Sequence, residues 1–250
     1  MKSGFSRQNF HNSELPDLLG VRESRIITLV GAGGKTTLLY ALSHSFSNSG
    51  FRTLLTTTTH IFRPDPEDLS VFLVEDENKT AVQKAFSHSS LTALGIPSKQ
   101  KGKWKSPSSF FLRSISSIPD KIVCEGDGSK GLPIKIPRTH EPMLFPKTDT
   151  VIGVLGLSSL GCPTREYLFG WERWKDSLPE IVIPSLLSRI AMAPDGIFKN
   201  CQNAKKLLLF NQADTLSEGN ADALMKEIKK IRDNGIICLV ASLEEMFLLV

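Results

Sequence analysis

Residues 25–30 (RIITLV) form a short β-rich run that breaks into the glycine string GAGGKTT. From Lys35 to about Asn48 the chain then carries Leu38, Leu39, Ala41, Leu42 and Phe46 at helical spacing. A strand joined to a helix by so few residues must lay the helix back along the strand. The next strand then enters parallel to the first, which points to an α/β sheet. The rest of the sequence repeats the pattern. Strand-like runs fall at 52–59 (RTLLTTTT), 71–76, 121–125 (KIVCE), 150–157 (TVIGVLGL), 205–211 (KKLLLFN) and 236–242 (IICLVAS), the last expected to close the sheet. Helical patterns are expected from Thr80 to about Ser87, in parts of 165–193, and from a Ser217 cap to Asn234, with Gly235 where a helix C-terminus favours glycine. Positions 95–119, rich in Ser, Pro and Lys, read as an irregular insertion with one short helix around 110–115. No linker or internal repeat interrupts the series, so residues 1–250 are expected to form one domain.

Composition narrows the function classes. No apolar run approaches the about 20 residues of a membrane span, and the first twenty residues lack the apolar core of a secretory leader. A cytoplasmic protein without membrane contact is expected. The cysteines at 124, 162, 201 and 238 make no CxxC pair and read as reduced thiols. Cys124 and Cys238 lie in core-like runs, and Cys162 on a loop. Net charge is +4. Much of that sits in SKQKGKWK, where Lys99, Lys101, Lys103 and Lys105 surround Trp104. A stacking, single-strand-binding reading is available for it, but a short isolated run is read as a solvated loop, and nucleic acid is not an expected partner.

Ligands of such sheets bind at the carboxyl ends of the strands. After the first strand, Gly31, Ala32, Gly33 and Gly34 can turn backbone N–H groups around a phosphate at a helix N-terminus. Lys35 is placed to reach the outer phosphates, Thr36 to ligate Mg²⁺, and Thr37 to line the same turn. The usual spacing would require glycine at position 29, which is Leu29. After KIVCE, Glu125 and Asp127 are candidate metal ligands, and Lys130 a further phosphate contact. After KKLLLF, Asn211 and Asp214 in N-x-x-D spacing are suited to gripping guanine, and Ser242 marks the turn after the last strand. TTTTH at 56–60 places hydroxyls and His60 at the end of a neighbouring strand, with Thr58 or His60 set near a terminal phosphate, a water or a metal. His140 with Glu141 is a candidate to join them.

The order GxGGKT, ExxG, NxxD and a terminal small-residue loop resembles the P-loop GTPases that act as metallochaperones. More closely, LVGAGGKTTLL, LLTTTTHI, EGDGSKGLPIKIP, HEP, TDTVIGVLGLSSLG and LLLFNQAD resemble the YqeC family, over about residues 25–215. The resemblance implies a P-loop NTPase-like three-layer sandwich, a mainly parallel sheet with helices on both faces. It also implies GTP or ATP with Mg²⁺, and a place in the maturation of a selenium-dependent molybdenum hydroxylase or its cofactor. A second copy of the chain is a further candidate partner. Two departures stand out. Gln212 occupies the place of the lysine that stacks along guanine, and Val30 stands where dimeric relatives carry a lysine. Three activities fit: NTP hydrolysis, with Lys35, Glu125, Asp127 and His60 as its catalytic candidates, phosphoryl transfer to a small molecule, and nucleotide sensing without turnover.

Overall fold

The computed structural model describes residues 5–65, 71–201 and 203–250. The first four residues of the stretch searched for a leader lie outside them. In chain order the elements are β1 (Arg7–Asn9), α1 (Leu15–Leu18), β2 (Ile26–Gly31), α2 (Lys35–Asn48), β3 (Thr53–Thr57), β4 (His60–Phe62), β5 (Phe72–Val74), α3 (Lys79–His88), β6 (Leu91–Leu94), β7 (Ile96–Pro97), β8 (Lys103–Lys105), α4 (Ser109–Ile115) and β9 (Lys121–Glu125). There follow β10 (Ile134–Lys135), β11 (Thr150–Gly156), α5 (Thr164–Tyr167), β12 (Leu168–Phe169), α6 (Pro184–Met192), β13 (Lys205–Asn211), α7 (Glu218–Asp233), β14 (Ile237–Ser242) and β15 (Phe247–Leu249). Short 3₁₀ turns fill several of the joins.

Among the described residues ten strands form one sheet in the order β1-β15-β14-β13-β11-β2-β9-β3-β6-β5. Pairing is parallel from β14 to β5. The two strands beyond β14 are antiparallel, so the run at 236–242 does not close the sheet as its sequence suggested. Strand alternation sorts the core into two sides. Ile27, Leu29, Leu55, Val123, Ile152 and Leu209 pack against Leu38, Leu39, Leu42 and Phe46 of α2. Their neighbours Ile26, Leu54, Ile122 and Cys124 face α3 and α4, and Val151, Leu155, Leu208 and Phe210 face α6 and α7. Helices therefore cover both faces, and the architecture is the three-layer α/β sandwich expected.

Two stretches differ from their sequence reading. Residues 91–94, just before the expected insertion, form β6, an interior strand of the sheet, and within 95–119 β7 and β8 join a separate small sheet ordered β4-β8-β7, so the insertion is not irregular throughout. Within it Trp104 is fully buried and donates Nε1–H to Glu75 Oε1 at 2.9 Å. Its ring is closed to any stacking ligand, and the lysine-rich run is an exposed turn through Lys99 and Lys101 that ends in the strand Lys103–Lys105. The helical reading of residues 166–178 (EYLFGWERWKDSL) gives way to the short α5, a strand and a 3₁₀ turn: the chain is already extended at Leu168, and Gly170 at φ 77° opens the 3₁₀ turn.

Candidate phosphate-loop site

The loop between β2 and α2 is shaped by backbone that side chains other than hydrogen tolerate poorly. Gly31, Gly33 and Gly34 have φ of 93°, 84° and 116°. A Cβ on Gly33 would lie 2.4 Å from the Gly156 nitrogen, and one on Gly34 would lie 2.2 Å from Asn211 Nδ2. The chain can follow this path only with glycine at these positions. Ala32 is buried, and its N–H donates to Val154 O at 2.8 Å. Lys35 opens the fourteen-residue α2. Its Nζ folds back over the loop to donate to Gly31 O at 2.6 Å.

That ammonium sits in a buried chain of charges. Lys35 Nζ is 3.3 Å from Asp127 Oδ1 and 3.9 Å from Glu125 Oε1. Asp127, with no exposed surface, accepts the Gly31 N–H through both carboxylate oxygens at 3.1 Å. Its Oδ2 also lies 3.1 Å from the fully buried Lys135 Nζ. Lys135 then donates to Glu141 Oε2 at 2.8 Å and Gly128 O at 2.7 Å. Burial alone would raise the Glu141 carboxyl, but the Lys135 and Arg138 N–H bonds outweigh it and hold it below the usual range. For Glu125 the balance runs the other way. Burial raises it, Lys35 offsets part of that, and Asp127 raises it further.

Glu125 and Asp127 are thus divided between two environments. Glu125 lines an open cleft of about 730 Å³ together with Gly33, Gly34, Lys35, Thr36 and Thr37. Thr36 Oγ1 donates to Glu125 Oε2 at 3.2 Å. Asp127 lies behind the loop, does not line the cleft, and has its oxygens engaged by three donors. His60 and Lys130 line the same cleft. Thr58 does not: its hydroxyl donates to Glu125 O and Met143 O, as Thr57 does to Glu125 O. These threonines hold the end of β9 rather than face a ligand. His140 is exposed on a loop outside the cleft and Glu141 is buried in the charge chain, so the pair does not join His60.

The residues expected to read a base are not grouped in the cleft. Asn211 is buried and bridges two loops, donating Nδ2–H to Gly33 O at 2.9 Å and accepting the Leu243 N–H at 3.0 Å. Gln212 lines the cleft in a left-handed conformation (φ 64°), and its Oε1 accepts from Ser158 Oγ at 2.7 Å. Asp214 is exposed and lines a separate cleft of about 330 Å³ with Arg7 and Phe247. Ser242 is buried, its hydroxyl capping the Glu245 N–H at 3.2 Å. Lys135 escaped the sequence reading, although it stands out as a lone lysine between Ile134 and Ile136. Lys103 was read as part of the lysine run and not as a wall of this cleft, which the polar–apolar–polar alternation of Lys103, Trp104 and Lys105 could have suggested.

A parallel sheet whose second strand in sequence ends in a glycine loop, a Lys-Thr pair at the following helix start, and an acid at the tip of the adjoining β9 together define an α/β protein of the P-loop type. Residues 27–172 match the family model described as YqeC protein. A relative described as "Uncharacterized protein YqeC", from Escherichia coli (strain K12), is 31% identical over 209 residues, covering 78% of this chain and 79% of its own length. The chain belongs to the YqeC family. Solved structures similar to it include hydrogenase maturation factor HypB from Archaeoglobus fulgidus, 12% identical with a TM-score of 0.41, covering 93% of this chain and 87% of that one. HypB from Helicobacter pylori in complex with nickel is 9% identical with a TM-score of 0.39, covering 93% and 85%. Among the described residues no helix is long and apolar enough to cross a membrane.

Proposed function

We propose that the chain binds a nucleoside triphosphate, GTP or ATP, with Mg²⁺ and hydrolyses it in the course of maturing a molybdenum hydroxylase or its cofactor. The observation that carries the nucleotide reading is the loop itself: three glycines at positive φ turning the backbone about the α2 N-terminus, with Lys35 coiled inside it. Backbone N–H groups at a helix start and a cation within reach form an anion cradle. The donor set suits magnesium. Thr36 and Glu125 supply hard oxygens 3.2 Å apart at the foot of the cleft. No group of three or more His, Cys, Asp or Glu side chains forms a metal cage among the described residues. Magnesium held by one or two protein oxygens plus phosphates fits that arrangement, and when bound it would neutralise charge on the phosphates.

In this reading Lys35 exchanges Gly31 O and Asp127 for the outer phosphates, while Asp127 stays paired with Lys135 and keeps the Gly31 amide in place. Water attacks the terminal phosphorus, the bond to the bridging oxygen breaks, and the diphosphate and inorganic phosphate leave. Catalysis rests on positioning and charge neutralisation, with His60 a histidine that lines the same cleft. The hydroxylase connection is what the resemblance to the YqeC family implies. A second reading, phosphoryl transfer to a small molecule, is favoured by one observation: the cleft continues past the loop to His60, Phe62 and Lys103. The test is release of phosphate from ATP and GTP by the purified chain, with and without Mg²⁺, beside Lys35→Ala. Mg²⁺-dependent release that disappears in the variant supports hydrolysis. Tight binding with no release sinks it, and release of diphosphate only with an added acceptor moves the reading to transfer.

A further inference from the structure

The sheet order gives the cleft a direction. Ser158, which follows β11, and Gln212, which follows β13, line the cleft on one side of β2, and β9 and β3 lie on the other. A nucleotide whose phosphates sit in the β2–α2 loop, as proposed above, has its nucleoside on the first side or out of the cleft. The second side then lies beyond the last phosphate. That end is roofed by the small sheet β4-β8-β7, whose register is informative. Ile61 pairs with Trp104, and both turn into the core. Alternation turns Phe62 and its partner Lys103 the opposite way, with His60 on the same face. All three of these line the cleft, and Ser129 and Lys130 face them from the turn after β9.

Two properties of this end call for a ligand. Phe62 is 69% exposed, a large ring held at the wall of a cavity, with Lys103 Nζ 5.1 Å from its centroid. The charge is also one-sided: Lys103 and Lys130 line the cleft, and among the described residues the only acid lining it is Glu125, already beside Thr36 and Lys35. Resting on the nucleotide reading, the geometry points to a second subsite at the β3 end of the cleft, for a small anionic molecule with a flat unsaturated ring. The ring lies on Phe62, and the phosphate or carboxylate lies between Lys103 and Lys130. A flat apolar face and a cation pair select an aryl or heteroaryl phosphate over a simple anion.

The test titrates the full chain, saturated with Mg²⁺ and ADP or GDP, with phenyl phosphate and with inorganic phosphate, by calorimetry. Phenyl phosphate is expected to bind about tenfold more tightly than phosphate, since stacking and one charged contact each contribute on that order. Phe62→Ala should erase the difference between the two anions. Lys103→Ala should weaken both about tenfold, and Lys103→Arg should restore most of it. Affinity for the diphosphate nucleotide should change less than about twofold in these variants. Equal binding of the two anions, insensitivity to both variants, or displacement of the nucleotide by phenyl phosphate would overturn the subsite. Tighter binding of an oligothymidylate with the same residue dependence would overturn it in favour of a nucleic-acid ligand. If neither ADP nor GDP binds, the nucleotide reading fails by itself. The two anions and three variants then test the subsite on the nucleotide-free chain.

Discussion

Replacing Lys135 by methionine keeps most of the side chain's volume and removes its charge. The structure sets the size of the effect. Lys135 has no exposed surface, and its ammonium touches Asp127 at 3.1 Å, Glu141 at 2.8 Å and Gly128 O at 2.7 Å. Removing one partner of a buried ion pair leaves an uncompensated charge and costs about 3–5 kcal/mol. At about 2–4 °C per kcal/mol for a chain of this size, Tm should fall by roughly 6–20 °C. Asp127 keeps Lys35 and the Gly31 N–H, so the worst-placed charge in the variant is Glu141. Adding Glu141→Gln neutralises it, keeps an oxygen for the Arg138 N–H, and should recover about 1–3 kcal/mol. Thermal unfolding followed by circular dichroism reads all three proteins. A loss under about 2 °C for Lys135→Met, or a double variant no more stable than the single one, would refute the account of this charge chain.

Two further outcomes follow from particular contacts. Asn211→Ala removes the bridge between Gly33 O and the Leu243 N–H and should cost about 2–3 kcal/mol, read from the urea midpoint. Nucleotide affinity should fall with it, and an unchanged affinity would show that the loop holds its shape without the bridge. Cys162 is the one half-exposed thiol, whereas burial pushes Cys201 and Cys238 up to about 12 and Cys124 higher still. Ellman's reagent at pH 8 should therefore react quickly with one thiol in the native protein and with three more only in denaturant. A second fast equivalent would contradict the packing around the other three.

The elements with strong local signals were legible in the sequence. α2 runs over Lys35–Asn48, and β9 and β13 over Lys121–Glu125 and Lys205–Asn211, as the hydrophobic patterns indicated. A buried parallel strand and a helix following a glycine turn declare themselves within a dozen residues. β6 did not, because LTAL is four residues long and its partners β3 and β5 are set by tertiary pairing alone. The site was legible as a set of loops but not in its side-chain assignments. Glu125 and Asp127 are two residues apart with the same chemistry. The Gly31 N–H and the arrival of Lys135 hold Asp127 toward the interior, while Glu125 lines the cleft. Asn211 was read as a base contact because spacing reports which loop a residue is on, and orientation within it depends on the backbone it meets.

The phosphate loop lies within the first forty residues, yet little that shapes it does. Asp127 holds the Gly31 amide, Pro133 and Gly156 press on Gly33, and Asn211 fastens the Gly33 carbonyl. Its strand β2 is paired on both sides by strands from about a hundred residues further along. A growing chain therefore carries the sequence of the cradle long before it owns the cradle. Only after Asn211 has left the ribosome and β13 has docked can the loop take its final form. On the proposed function, ligand capture would thereby report on completion of the fold, and a truncated or half-folded copy would not compete with finished molecules for nucleotide.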